Sequence, residues 1–413
     1  MNRKSFSGWI LFAAWLPLLG EAADKVTSSH EVQSLQRHLK ITRDKRPDIK
    51  TQKFGSVGLT NTDAAKARDL LWADRLEFLR QERRMEMKSK VIRDGNLVMP
   101  FEYFVYGNKP KGGRSLFISM HGGGNAPKRV NDSQWENQKR LYRPKEGVYV
   151  APRAPTNTWN LWHQGHIDPM FFRMIENMVA TQNVNPNRVY LMGYSAGGDG
   201  VYQVAPRMAD CFAAAAMMAG HPNETSPLGL RNLPFAIHVG ERDNGFNRNK
   251  VALQWKDKLA ALKESDPQGY AHYVRIHAGR GHWMNREDAV AVEWMGSHTR
   301  NPYPRKIVWK QDNVLHDNFY WLSLPKDHAR AREEIRAHIV GQKINLRGPV
   351  GKKVEVNLND DLIDLEKPVI ISSKGEDLFK GKVSRTIRQL AESLAHRRDR
   401  DYMFSVQVTV TLP

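Results

Sequence analysis

Cysteine is almost missing from this chain. Among 413 residues there is one, Cys211, ahead of an alanine-rich apolar run from Phe212 to Met218. A single cysteine excludes an intrachain disulfide, so the fold does not depend on oxidation, and in that setting it reads as a small core residue. Metal-ligand spacing among acidic, histidine and cysteine residues is also missing, as is a Walker-type phosphate loop. Carboxylates are in deficit: 44 Asp and Glu stand against 63 Lys and Arg, a net charge of +19. Part of the excess falls between Arg37 and Lys53. Such a balance favours anionic partners such as acidic polysaccharide, cell-surface polymer or lipid headgroups, although a plain solvated basic surface accounts for it ahead of any specific partner. No nucleic-acid module or aromatic-basic stripe accompanies the charge, so no nucleic acid is expected as a partner.

Long apolar runs are scarce too. One stands at the start, Trp9 to Leu19, preceded by Asn2-Arg3-Lys4 and followed by Gly20-Glu21-Ala22-Ala23. It is too short to span a bilayer as a mature helix and reads as a signal peptide, residues 1–23, cleaved near Ala22 or Ala23. The expected location is secreted or periplasmic, of bacterial type, with no transmembrane anchor after cleavage; an uncleaved anchor is the alternative.

The remainder divides by pattern. Residues 24–96 form a basic, partly helical extension, loosely patterned to residue 60, followed by a helix from about Ala64 to Val91 capped by Thr62-Asp63. Leu71, Phe78, Met85 and Ile92 share one face of it. Residues 97–304 alternate strand and helix, which specifies a mainly parallel sheet covered on both faces. Residues 305–413 switch to period two. Ile335, Ala337 and Ile339 alternate with polar residues, as do Val354, Val356 and Leu358, and Phe404 to Leu412 keep strict alternation. A small β-sandwich-like region is expected there, interrupted by a helix near Ser384–His396. Its aromatic group Trp309, Phe319, Tyr320 and Trp321 reads as core or an inter-domain seam, with a sugar-stacking platform as the alternative.

What the alternating region carries is Gly193-Tyr194-Ser195-Ala196-Gly197, placed between an apolar strand (188–192) and a helix start. A Gly-x-Ser-x-Gly string arises by chance in roughly one in seven chains of this length, so its neighbours decide. A serine on a sharp strand-to-helix turn is presented hydroxyl first, under the free amides of the following helix. An acyl-transferring serine also needs a base, an acid to orient it, and donors for an oxyanion. Downstream, Asp243 follows the strand at 233–239 and His282 lies in a glycine-flanked loop after the strand at 270–277, each just beyond a strand end. Glu241 is a competing acid. Upstream, His121-Gly122-Gly123-Gly124 follows the strand at 114–120. Glycines there let backbone amides of Gly123 or Gly124 approach a substrate oxygen, with the Ala196 amide as the second donor. Asp199 reads as a first-turn helix residue favoured by the dipole. The loop from Ala151 to His166 overhangs this edge, with Trp159, Trp162 and His163 as candidate substrate contacts; Trp283 flanks the candidate base.

On the His-Gly-Gly-Gly, Gly-Tyr-Ser-Ala-Gly-Gly, Gly-Glu-Arg-Asp and Gly-His-Trp segments, the chain resembles the α/β-hydrolase superfamily from about Met99 to Met295. It looks most like secreted carboxylesterases of the polyhydroxybutyrate-depolymerase-like and feruloyl/acetyl-xylan-esterase-like group. The resemblance implies an α/β-hydrolase fold, with Ser195 as nucleophile, Asp243 as acid and His282 as base, and no metal or organic cofactor. It implies a secreted serine esterase acting on an ester substrate, with polymeric and anionic substrates among the candidates. The same serine string is similar to that of prolyl-oligopeptidase-type peptidases, which keeps a serine peptidase as the alternative; a non-catalytic binding protein on the same scaffold is a third reading.

Overall fold

The computed structural model describes residues 29–413; the segment read as a signal peptide lies outside them. Three helices come first, α1 (His30–Leu39), α2 (Asn61–Glu82) and α3 (Arg84–Ser89). Residues 30–39 fall in the stretch expected to be only loosely patterned. They are helical because Ser29 caps the Val32 amide and Val32 and Leu35 bury one stripe. The expected long helix is broken at Arg83, and its run ends at Lys90 in a left-handed conformation. Met85 is therefore 68% exposed, while Ala64, Ala67, Leu71 and Leu79 are buried.

The chain then builds an eight-stranded sheet. Its strands are β1 (Val91–Asp94), β2 (Leu97–Tyr106), β3 (Arg114–Met120), β4 (Gly147–Pro152), β5 (Val184–Tyr194), β6 (Ala214–Met218), β7 (Phe235–Gly240) and β8 (His272–His277). The spatial order is β1-β2-β4-β3-β5-β6-β7-β8, with β1 to β2 and β2 to β4 antiparallel and every later pairing parallel. The helices between strands are α4 (Lys128–Leu141), α5 (Ile167–Gln182), α6 (Ala196–Arg207), α7 (Arg248–Ser265) and α8 (Val290–Gly296). Central strands such as Gly147–Pro152 and Ala214–Met218 are buried at every position, as strands covered on both faces must be. The sheet starts at Val91, and α4 escaped the sequence reading because its polar face outweighs a narrow apolar stripe.

From Lys306 the chain forms nine short strands: β9 (Lys306–Lys310), β10 (Asn318–Phe319), β11 (Leu322–Ser323), β12 (Glu334–Val340), β13 (Lys343–Arg347), β14 (Lys353–Leu358), β15 (Val369–Ser373), β16 (Glu376–Gly381) and β17 (Val406–Thr411). They form two sheets, β10-β11-β14-β17 and β16-β15-β13-β12-β9, with helix α9 (Ile387–Arg397) before the last strand. Trp309, Phe319, Tyr320 and Trp321 are at most 2% exposed, so they are core and offer no sugar platform. They join one apolar cluster that runs without a break into Leu230, Phe235 and Met208 of the larger sheet's layer.

The extension straps both halves together. Its Leu35, Leu59, Ala67 and Leu71 share a core with Ile387, Leu390 and Leu394 of α9. Arg75 of α2 pairs with Glu176 of α5, and Arg80 donates to the Ala180 carbonyl at 2.9 Å. A buried charge seam lies between the large sheet and the sandwich. Arg207 makes a two-bond contact to Asp168 (2.6 and 2.8 Å), which also accepts from His316. Asp210 pairs with Arg397 and accepts the Tyr320 amide, while its carbonyl takes Arg300 and the Tyr402 hydroxyl.

Candidate active site

Ser195 sits between the end of β5 and the start of α6 with φ 57° and ψ −122°, a strained conformation for a residue with a side chain. Two neighbours make the turn possible. A Cβ on Gly193 would lie 2.2 Å from the Gly197 carbonyl oxygen, and one on Gly197 would lie 2.1 Å from that of Met120. Neither position accepts a side chain, so the helix enters hard against β3 and its N-terminal amides stand over the serine. The Ser195 amide is fixed to the Met218 carbonyl at 2.9 Å.

Three side chains from three strand ends form a chain of hydrogen bonds. His282 Nε2 lies 3.0 Å from Ser195 Oγ, and His282 Nδ1 lies 2.8 Å from Asp243 Oδ2. A carboxylate only accepts, so Nδ1 carries the proton and Nε2 is left to accept from the serine hydroxyl. Asp243 is buried whereas His282 is open to the cleft. Glu241, the competing acid, is exposed and accepts the Gly279 amide at 2.7 Å, so it steadies the start of the histidine loop and does not touch the imidazole. Tyr194 braces the same loop: its hydroxyl donates to the His282 carbonyl at 2.6 Å and accepts the Met284 amide at 3.1 Å. Burial raises the phenol above its usual range and keeps it a donor. The sequence signal for Tyr194 was its place beside the serine; nothing there announced its partners. Asp199, read as a dipole-favoured residue, accepts the His221 amide at 2.6 Å, and burial lifts its carboxyl to about 6.

The glycine loop is held by groups the sequence did not expose. His121 is fully buried, and burial lowers its imidazole to about 3. Its Nε2 accepts the Ala154 amide at 3.1 Å, so its Nδ1–H donates to the Gly122 carbonyl. Trp162 donates its indole N–H to the His121 carbonyl at 2.9 Å. Asn131, on α4, accepts the Gly124 amide at 2.8 Å and donates to the Ala126 carbonyl at 2.9 Å. This corrects the expectation for Gly124: its amide is already engaged and cannot also receive an oxyanion. Gly123 (φ +111°) lines the cleft with Ser195, so its amide and that of Ala196 remain the candidate donors.

The cleft around Ser195 and His282 encloses about 730 Å³. Its other walls include Val130, Gln134, Arg140 and Leu141 of α4, together with Tyr194, Trp283 and Arg286. Trp283 is half exposed, as a contact residue must be. The other three expected substrate contacts do not line this cleft. Trp162 has no exposed surface, because Gly200 and Phe171 press against it, and it serves as support for the glycine loop. His163 is buried edge-on to Trp159 and lowered by burial to about 4. Trp159 is exposed, but its carbonyl abuts Gly124 and its ring packs on His163. Among the described residues no group of three or more metal-ligating side chains occurs, and no helix is long and apolar enough to cross a membrane.

Strand order, the strained serine turn and the serine–histidine–aspartate relay together define an α/β-hydrolase fold. Within it, residues 144–305 match the dienelactone hydrolase family, a span that includes Ser195, Asp243 and His282. Over 159 residues the chain is 31% identical to the bifunctional acetylxylan esterase/xylanase XynS20E of Neocallimastix patriciarum, covering 37% of this chain but 23% of that protein. Among solved structures, a thermostable esterase aligns over 51% of this chain and 62% of its own, at 18% identity and a TM-score of 0.38. The poly(3-hydroxybutyrate) depolymerase LpqC of Bordetella parapertussis aligns over 51% and 87% (15%, 0.38), and a feruloyl esterase module of Clostridium thermocellum over 50% and 85% (15%, 0.35).

Proposed function

We propose that this protein hydrolyses carboxylic esters through an acyl-enzyme on Ser195. The observation that carries the reading is the unbroken relay Ser195 Oγ–His282–Asp243 at 3.0 and 2.8 Å, with the serine on a strained turn. Ser195 Oγ attacks the ester carbonyl while His282 Nε2 takes its proton; the carbonyl oxygen, now negative, is held by the Gly123 and Ala196 amides. His282 then protonates the departing alcohol. Water repeats the sequence on the acyl-serine: His282 accepts its proton, and Ser195 is released as the carboxylate leaves. Asp243 keeps the imidazole in the required tautomer throughout. The acetylxylan esterase relative supports acyl groups on sugars as the substrate class, and the segment 1–23 supports export. Ser195→Ala is expected to abolish hydrolysis of a short-chain p-nitrophenyl ester while the circular dichroism spectrum is unchanged; undiminished turnover in that variant would overturn the assignment.

A further inference from the structure

A basic cavity of about 410 Å³ lies between the N-terminal extension, β1, α5 and α9. Five arginines reach it: Arg75 of α2, Arg83 at its C-terminal cap, Arg93 of β1, Arg173 of α5 and Arg398 at the cap of α9. Two of them are committed. Arg75 donates from Nε to Glu176 at 3.2 Å, and Arg173 donates from Nε to Glu86 at 3.1 Å. The other three are not. The guanidinium groups of Arg83 and Arg93 make no hydrogen bond or ion pair among the described residues, and the Arg83 Nε–H is buried without an acceptor. Arg398 has a carboxylate at 3.9 Å, Glu176, which already serves Arg75. The lining holds one other carboxylate, Asp94; Glu82, beside Arg83, is exposed and outside it. Three uncommitted guanidinium groups against Asp94 leave two positive charges in excess. The floor beneath them is apolar, with Leu79, Ile92 and Met170 buried.

Each guanidinium presents a flat fork of N–H donors that fits the oxygens of an anion. A carboxylate carries one charge and satisfies one fork. A phosphate monoester carries about two charges and three acceptor oxygens, so it meets three forks and cancels the excess. We propose that this cavity binds a phosphate group, held by Arg83, Arg93 and Arg398. The site is independent of the esterase chemistry, since it shares no residue with the cleft of Ser195. β1 also stands four strands from β5 in the sheet, about 19 Å at ordinary strand spacing. The three arginines come from the extension, the large sheet and the C-terminal region, so a bound phosphate ties these parts together. Binding to the folded chain alone raises its stability. Arg93 and Arg398 are exposed, which makes the contact sensitive to salt.

Isothermal titration calorimetry on the folded protein reads the affinity for inorganic phosphate at fixed ionic strength, with acetate as the monoanion for comparison. Phosphate should bind at least about tenfold more tightly than acetate. Arg83→Gln and Arg93→Gln remove guanidinium groups that bond nothing in the protein, so the circular dichroism spectrum should be unchanged. Each should weaken phosphate about tenfold. Asp94→Asn removes the opposing charge and should tighten phosphate, an effect of opposite sign to any loss of packing. Arg347→Gln, exposed on β13 of the sandwich, removes the same charge and should leave the affinity in place. Two further probes identify the source of the group. Phenyl phosphate binding as phosphate does, without retention on phosphatidic acid vesicles, supports a soluble phosphate ester. Retention on phosphatidic acid vesicles beyond that on phosphatidylcholine alone, lost in Arg93→Gln, supports a lipid headgroup. No phosphate binding, acetate as tight as phosphate, an affinity unchanged by both arginine substitutions, or one lowered equally by Arg347→Gln overturns the proposal.

Discussion

Asn131 is the point at which the proposed oxyanion site can be loosened without touching it. Its side chain is fully buried and holds both the Gly124 amide and the Ala126 carbonyl. Asn131→Ala removes both bonds. Gly124 and Ala126 are only partly buried, so water reaches the orphaned groups and the stability cost falls at the low end of the range, about 1 kcal/mol each, or about 2 kcal/mol in all. The effect on turnover is separate. Losing an oxyanion donor outright costs about 10²–10³ in kcat. Here the Gly123 amide survives and only its anchor is lost, so kcat should fall about ten- to a hundredfold, or about 1.4–2.7 kcal/mol of barrier. The oxyanion forms only in the transition state, so KM for a neutral p-nitrophenyl ester should change little. Steady-state kinetics with active-site titration by a fluorophosphonate, alongside urea unfolding, separates the two effects. An Asn131→Ala protein of lower stability but full kcat would show that the loop does not set the donor's position, and the oxyanion assignment of Gly123 would go with it.

Acid should destabilise the fold before most of its carboxylates titrate, Asp199, lifted by burial to about 6, being the exception that offsets part of the loss. Burial holds His121 and His238 near 3, against 6.5 for an unperturbed histidine, so below pH 6.5 the unfolded chain binds protons that the native protein refuses. Stability is therefore full above 6.5 and falls as pH drops toward 3, by up to about 1.4 kcal/mol per pH unit for each histidine. Urea unfolding at pH 7.5 and 5 reads this directly, and equal stability at the two would contradict it. Asp210→Ala strands the Arg397 charge, its side chain only 8% exposed, at the seam and should cost about 3–5 kcal/mol. A change below 1 kcal/mol in chemical denaturation would mean that the seam carries no such load.

The relay was legible because each member follows a strand whose apolar run is plain: Arg188 to Met192, Leu233 to Val239, and Tyr270 to His277. Strand ends in a parallel sheet converge on one edge, so order along the chain becomes proximity in space. The sandwich was legible for a similar reason, since β12 and β17 bury every second residue. What failed was anything decided by a side chain's partner. Gly124 and Gly123 are equivalent as letters; only Asn131, seven residues on and in a helix the pattern did not reveal, tells them apart. Trp162 and Trp159 sit in one loop, yet one is wholly buried and the other is 57% exposed, because Gly200 leaves a socket for the first indole. Loop sequence carries no record of such sockets.

Helix α6 begins at the serine, and the turn that follows it holds Asp210, where Arg397, Tyr320 and Tyr402 of the C-terminal region converge with Arg300, which precedes it. Twelve helical residues, about 18 Å of rigid rod, thus connect Ser195 to the clamp. The sandwich is consequently no interchangeable cassette on a tether. Exchanging it for another at a junction near residue 304 would strip Asp210 of Arg397, Tyr320 and Tyr402, Asp168 of His316, and the apolar floor around Met208 of its cover. Any surface the sandwich presents to a polymer is held at a fixed offset from Ser195, as a ruler is from its zero mark.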